Sequence, residues 1–375
     1  MKKMYVIGLM SGTSLDGIDA ALVEIQPDLS CKFIDGYSLD YSSKMQEKIK
    51  KLFEPTVSPR LLTEMNFLIG EYFAKCAIKL EEKTKIKADL IGSHGITFFH
   101  NPTDEFFEQM PLKSSLQIGE GAIIAERTRT TTVCDFRVQD IAANGQGAPL
   151  VPFADKILFQ NIKGNKAILN LGGIANATIL SENCDIFAFD TGPANMLIDM
   201  ATKYFYNLPF DKNGAIAQTG TVNEELLKIL MNNNYFNITP PKSTGRETFG
   251  ENFFNEYIKN FSDKKENIIK TLTVFTSKTI KDAFEKFIFP KTNIEEIILG
   301  GGGAYNSYLK ELLEEEFKPK TKIKTHEDYG ISNKFKEAIA FALLAYCSYH
   351  NIPNNVKTAT GAVRNVVLGK IIRNV

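Results

Sequence analysis

The stretch "YVIGLMSGTSLDGIDAALVEI", residues 5–25, sets two apolar, strand-like runs on either side of a loop crowded with Gly, Ser, Thr and Asp. The loop itself, "SGTSLDG" (Ser11–Gly17), offers backbone N–H groups, the hydroxyls of Thr13 and Ser14, and the carboxylate of Asp16, with Asp19 just beyond. Local chemistry leaves two readings open: a hairpin with an unusually polar turn, or a cradle for phosphate.

The arrangement recurs, and recurrence brings the cradle level with the plain hairpin. "KAILNLGGIANATIL" (Lys166–Leu180) again reads as strand, Gly-rich turn, strand, and "EEIILGGGG" (Glu295–Gly303) runs a strand into the turn "LGGGGAYN". Glycine lets backbone N–H groups come close to an anion, and successive N–H groups form anion-binding concavities. The chain has no GxxxxGK[ST] and no GxGxxG after its first strand, so the common P-loop and the Rossmann fingerprint are excluded.

At 375 residues the chain is long for one core, which predicts two domains. Lys+Arg and Asp+Glu balance at 44 each, leaving no electrostatic footprint for nucleic acid or an anionic membrane. The apolar run at the N-terminus, about six residues, is too short for a secretory segment, and no stretch approaches the roughly 20 apolar residues that cross a bilayer. The five cysteines are scattered, odd in number and lack CxxC spacing, as reduced core residues of a cytoplasmic protein would be.

Periodicity predicts helices in Ser43–Lys85, Glu224–Met231, Ile268–Phe287, Asn306–Phe317 and the strongly apolar Lys336–His350. Strands are read in "ADLIGSHG", "TTVCDF" and "DIFAFDTGP", the last ending at Asp190. Strands alternating with helices make the fold α/β, and the Gly/Pro-rich "RVQDIAANGQGAPLVPFAD" is read as a crossover between domains. The second half echoes the first, so two related lobes are expected.

Several side chains stand out chemically, each with a plainer alternative. Asp190, at a strand end before Thr-Gly-Pro, lies where α/β proteins place ligands and suits a general base; the alternative is a cap on the following helix. Asp16 suits Mg2+, which prefers hard oxygen ligands, or caps its turn. His94 and His100 lack the i, i+4 spacing of a helical metal pair, so His94 is a satisfied loop histidine or a hydrogen bond to substrate. Glu337 either complements a helix N-terminus or binds ligand.

Together the stretches "GLMSGTSLDGIDAALV", "GSHG", "SLQIGEG", "DFRVQDIAANGQGAPLVP", "LNLGGIAN", "FDTGPANMLID", "PKSTGRE", "LGGGGAYN" and "EAIAFALLA" closely resemble the anhydro-N-acetylmuramic acid kinases, from Gly8 to Ala345. The resemblance implies a two-lobed actin-like ATPase (ribonuclease H-like) fold, each lobe a mixed five-stranded sheet flanked by helices, with the active site in the interlobe cleft. The C-terminal segment would return to the first lobe, giving lobes of 1–143 plus 355–375 and 144–354.

It further implies that Gly12, Thr13, Ser14, Leu15, Asp16, Gly17, Ile18 and Asp19 form the first phosphate loop for ATP. Gly172 and Gly173 would belong to the second, and Gly301, Gly302 and Asn306 to the turn near adenosine. Asp16 would hold Mg2+, Asp190 would be the catalytic base, Arg137 would bind the sugar's lactyl carboxylate or form an interlobe salt bridge, and Glu337 and His94 would bind the sugar. Lys242 and Arg246 would hold loops together or reach the nucleotide. The implied substrate is 1,6-anhydro-N-acetylmuramic acid, opened by water and phosphorylated on O6 in the recycling of peptidoglycan by a cytoplasmic homodimer. Ile96, Ala194 and Asn144 depart from the family's usual Gln, Gly and Gly. A kinase for another anhydro or amino sugar, or a nucleotide switch on the same fold, are the competing readings.

Overall fold

The computed structural model describes residues 2–12, 15–54 and 56–374, so Thr13 and Ser14 of the opening loop lie outside the described residues. The chain divides into two compact units, Met1–Asn161 with Phe335–Val375, and Ile162–Lys334.

In the first unit the opening stretch is a hairpin: Met4–Met10 pairs antiparallel with Gly17–Ile25, from Met4↔Ile25 to Met10↔Asp19. Cys31–Asp40 continues the meander, while Leu90–Ser93 and Thr132–Cys134 add in parallel on the other side of Met4–Met10. The second unit repeats this plan. Lys166–Leu171, Ile174–Leu180 and Phe187–Pro193 form the antiparallel meander, and Glu296–Gly300 and Lys322–Thr325 add in parallel. The expected mixed five-stranded sheet is thus found in the second unit. The first has six strands, because Lys370–Ile372 pairs with Thr132–Cys134 at the edge.

Helix Pro59–Thr84 covers one part of the first sheet. Ser58 caps it by accepting the Leu61 N–H at 3.1 Å, Pro59 starts it, and Lys85 ends it in the left-handed region. Its Met65, Ile69, Phe73 and Cys76 pack with Ile7, Leu9, Ile18 and Leu22 of the sheet. Each such fully buried side chain contributes about 1.5–3 kcal/mol. The helical region expected over Ser43–Lys85 is therefore two helices, Ser43–Lys50 and Pro59–Thr84, because proline begins a helix and cannot continue one.

Helix Lys336–Tyr349 meets the sheet at backbone distance. A Cβ added to Gly8 would stand 1.7 Å from the Ala338 carbonyl oxygen, and one on Gly92 would stand 2.3 Å from that of Phe341. At its start Lys336 makes a buried ion pair of 2.7 Å with Asp155 of helix Val151–Leu158. These contacts correct the expected boundaries at 143/144 and 354/355: both helices belong to the first unit, and the divisions fall after Asn161 and after Lys334.

One element went unforeseen. Ile96–Phe107 and Met110–Ile118 form a separate two-stranded hairpin, with register shifts between Thr97 and Phe99 and between Asn101 and Glu105. Those shifts break the period-2 alternation that identifies a strand. Among the described residues, no helix is long and apolar enough to cross a membrane.

Because the helix cannot retreat without losing its core contacts, Gly8→Ala is expected to cost about 3 kcal/mol. A lowered urea midpoint measures this; a midpoint equal to that of the wild-type chain would refute the backbone contact.

Candidate active site

The opening loop is held by its own backbone. The Ser11 hydroxyl donates to the Gly17 carbonyl at 2.8 Å, the Tyr41 N–H to the Asp16 carbonyl at 2.8 Å, and the Leu15 N–H to the Gly12 carbonyl at 3.2 Å. Leu15 sits at φ 56°, in the left-handed region. Gly17 is required by packing, since a Cβ there would lie 2.6 Å from the Leu39 carbonyl oxygen. Asp16 is exposed at the turn, and Asp19 accepts from the Ser38 hydroxyl at 2.5 Å. Ile18 lies in the core, so it shapes the loop without lining it.

The first unit also brings His94, Arg137 and Glu337 together. His94 is buried after strand Leu90–Ser93, against the ring of Phe341 at 4.6 Å. Its Nδ1 lies 3.1 Å from the Gly95 carbonyl, which places the proton there and leaves Nε2 as an acceptor for Arg137 Nη2 at 3.2 Å and Nε at 3.4 Å. Burial, and secondarily the Arg137 charge, push the His94 pKa down to about 3. Burial pushes Arg137 down to about 10, with Glu337 pulling the other way. Glu337 sits in the first turn of helix Lys336–Tyr349 and still meets solvent. The protein around it, and then the like charge of Asp19, raise its pKa against the pull of Lys336 and Arg137.

Arg137 opens the "RVQDIAANGQG" segment, which Asp140 organises. The fully buried Asp140 accepts the Gly147 N–H at 2.9 Å with one oxygen, and Asn355 Nδ2 and the Thr360 hydroxyl, each at 2.8 Å, with the other. Asn144, the departure from Gly, takes φ 65°, and Ile96, the departure from Gln, is buried in the core.

In the second unit Asp190 lies inside strand Phe187–Pro193, next to a register shift before Gly192, and not at the strand's end. Helix Asn195–Tyr206 follows with Ala194 at its N-cap and no side-chain cap, so the helix-cap reading of Asp190 does not hold. Asp190 Oδ2 accepts the Thr244 N–H at 2.9 Å, and its carbonyl accepts the Tyr235 hydroxyl at 2.7 Å. Burial pushes its pKa up to about 6, against the Thr244 hydrogen bond and with help from Glu247. Lys242, from "PKSTGRE", donates to the Tyr235 carbonyl at 3.2 Å and lies over the rings of Tyr235 and Phe287 at 4.6 and 4.7 Å. It braces the Asp190 surroundings, and burial brings its own pKa down to about 8.

The Gly turns divide by what they need from the protein. Gly301 takes φ 78°, and its backbone exchanges hydrogen bonds with the Asn333 amide at 2.7 and 2.8 Å. Gly303 would press a Cβ to 2.7 Å from Leu171. A Cβ on Gly172 meets nothing nearer than 3.4 Å, and on Gly302 nothing nearer than 3.9 Å. Protein packing therefore does not demand glycine at those two positions, and the space beside them fits a close-lying ligand. Gly173 is intermediate, at 3.3 Å from Met196, and its carbonyl accepts the Ala194 N–H. Asn306 is spent as the N-cap of helix Ser307–Phe317, accepting the Leu309 N–H at 3.1 Å.

Sequence reasoning missed Asn333, Thr244, Asp140 and Asn195, whose Nδ2 donates to the Leu171 and Gly172 carbonyls at 2.8 and 2.9 Å. Common polar residues carry no local signature of such bracing; only the folded neighbourhood reveals it. Among the described residues, no group of three or more His, Cys, Asp or Glu is placed to hold a metal ion.

Residues 4–374 match the family described as Anhydro-N-acetylmuramic acid kinase. The chain belongs to that family. The anhydro-N-acetylmuramic acid kinase of Bacillus cereus strain G9842 is 44% identical over 380 residues, spanning 98% of this chain and 99% of that one. That of Caldanaerobacter subterraneus subsp. tengcongensis is also 44% identical, over 387 residues, spanning 99% and 97%. Component A of the (R)-2-hydroxyglutaryl-CoA dehydratase of Acidaminococcus fermentans overlaps 92% of this chain and 98% of its own at a TM-score of 0.47 and 12% identity. The protein is thus a kinase, a phosphotransferase that draws on ATP.

A histidine held neutral makes stability depend on pH. Unfolded His94 takes a proton below about 6.5, which the folded site refuses until about 3, so its contribution is present above 6.5 and is lost as pH falls between those values. Urea titrations of the wild-type chain and His94→Gln should diverge at pH 7.5 and converge toward pH 4.5; a constant difference would overturn the assignment.

Proposed function

We propose that this kinase opens the C1–O6 bridge of 1,6-anhydro-N-acetylmuramic acid with water and transfers the γ-phosphoryl of ATP to O6, giving N-acetylmuramic acid 6-phosphate and ADP. One observation carries the proposal: Asp190 is a half-buried carboxylate, raised to about 6, tied at Oδ2 to the Thr244 N–H, with no hydrogen-bond partner on Oδ1 among the described residues. That is the state of a general base, ionised near neutrality with one oxygen free for water.

Asp190 would take a proton from the water attacking C1. As the C1–O6 bond breaks, the carboxylate also steadies positive charge at the anomeric carbon, as in glycoside hydrolysis. O6 departs onto phosphorus, so it requires no separate acid, and catalysis at phosphorus is positioning and charge neutralisation. Arg137 would bind the lactyl carboxylate: its Nη1 hydrogens have no partner among the described residues, and burial makes an incoming anion welcome. Glu337 and His94 would border the same sugar.

The space beside Gly172 and Gly302 supports a nucleotide contact there. Gly12, Leu15–Asp19 and, outside the described residues, Thr13 and Ser14 would supply the first phosphate loop. Gly173 and Gly301 would shape the other two turns, and Asn306 would anchor the helix behind the adenosine. Asp16 would hold Mg2+, which offsets charge on the phosphate oxygens and needs few protein ligands. Five free cysteines suit a cytoplasmic enzyme, and the homodimer implied by the family belongs to the same proposal.

Turnover in 18O-labelled water should place the label at C1 of a 6-phosphorylated product. Asp190→Asn should lower kcat by about a thousandfold or more while sparing ATP binding, and wild-type kcat/KM should fall as pH drops through about 6. Sustained turnover by the variant would remove Asp190 as base, and unlabelled C1 would remove the coupled hydrolysis. For the nucleotide, Gly172→Ala and Gly302→Ala should raise the ATP Kd about tenfold with little change in Tm, whereas Gly301→Ala should lower Tm. Wild-type Kd values in the first two variants would reject the contact.

A further inference from the structure

We propose that the inner face of the hairpin Ile96–Phe107/Met110–Ile118 is a positioning relay, headed by Gln117, that fixes the plane of the Arg137 guanidinium for a substrate carboxylate. The inference rests on the reading of Arg137 as the carboxylate-binding residue.

The hairpin has two unlike faces. Phe99, Phe107, Met110, Leu112 and Leu116 are exposed on one, and Thr97, His100, Ser115 and Gln117 lie on the other, with Thr97 opposite Gln117 and His100 opposite Ser115. On this polar face Gln117 Nε2 donates to the Ser115 hydroxyl at 2.8 Å and to the Thr97 hydroxyl at 3.4 Å. Ser115 donates to the Phe99 carbonyl at 3.4 Å and lies 3.1 Å from His100 Nδ1. Thr97 accepts from Arg137 Nη2 at 3.5 Å, while His94 takes Nη2 and Nε from the other side. Lys113, on the same strand, reaches the Asn144 carbonyl at 3.0 Å and ties the hairpin to the segment that Arg137 opens.

The guanidinium is therefore gripped at Nη2 and Nε, and its Nη1 end is presented. A guanidinium serves a carboxylate best in a fixed plane, because its N–H groups lie in that plane and point along fixed directions. Gln117 is 8% exposed, yet its Oε1 has no hydrogen-bond partner among the described residues. A buried unpaired carbonyl costs about 1–3 kcal/mol, so the amide is a poor device for stability alone. Its two N–H groups are what the arrangement uses. An apolar residue of similar size should fold as well and orient Arg137 less well.

Steady-state kinetics of Gln117→Leu, Thr97→Val, Thr97→Ser and Arg137→Met decide the matter, measured with 1,6-anhydro-N-acetylmuramic acid and with the analogue lacking the lactyl ether. The relay predicts that Gln117→Leu and Thr97→Val raise KM for the acidic sugar by about three- to tenfold, kcat changing less. Thr97→Ser should restore wild-type KM, the analogue should feel neither change, and Gln117→Leu should not lower Tm. If Arg137→Met raises KM for the acidic sugar while Gln117→Leu and Thr97→Val do not, the relay is overturned and the Arg137 reading stands. If Arg137→Met leaves the preference for the acidic sugar intact, the Arg137 reading fails and takes the relay with it.

Discussion

The close approach of helix Lys336–Tyr349 to the first sheet is the constraint on which that unit's chemistry depends. Gly8 and Gly92 remove the side chains that would hold the helix away, and the helix then carries Phe341 against His94 and Phe136. The same seating fixes Glu337, one residue after a buried lysine. Lys336 and Asp155 form an ion pair with both partners nearly out of water, a pair whose net worth is small but whose rupture leaves a buried charge. Helix start, Arg137 segment and sheet are thereby locked to one arrangement.

Each unit spends stability near its chemistry. In the first, His94 is kept from its proton and Arg137 is partly stripped of solvent; in the second, the Asp190 carboxylate is held in an environment that disfavours its charge. None of these is an efficient way to build a core. Groups perturbed in this way cluster at functional sites, and the bracing around them (Thr244 and Lys242 beside Asp190, Thr97 beside Arg137) fixes their positions.

The repeated sheet plan explains why similar Gly turns do unlike work. The turns after Met10 and Leu171 follow strands paired antiparallel on one side and parallel on the other, whereas the turn after Gly300 follows a strand paired in parallel on both sides. At Gly301 and Gly303 the neighbouring strand crowds in, so glycine is a packing requirement; at Gly172 and Gly302 the neighbours stand back. Glycine content alone does not separate these cases.

The amino-acid sequence determined the α/β class and the two meanders around Gly turns, and it singled out Asp190, Arg137, His94 and Glu337 as candidates, because these depend on local periodicity and on motifs contiguous in the chain. It misplaced Asp190 at a strand end and missed the hairpin after Gly95, where two register shifts hide the alternation. Only the tertiary structure decided which helices belong to which unit, that Asn333 locks Gly301, that Asp140 reaches Asn355 and Thr360, and that Gln117 stands behind Arg137. Those partners are brought together by chain reversals over long sequence separations. A hydrogen bond between ordinary polar residues leaves no trace in the spacing of either one.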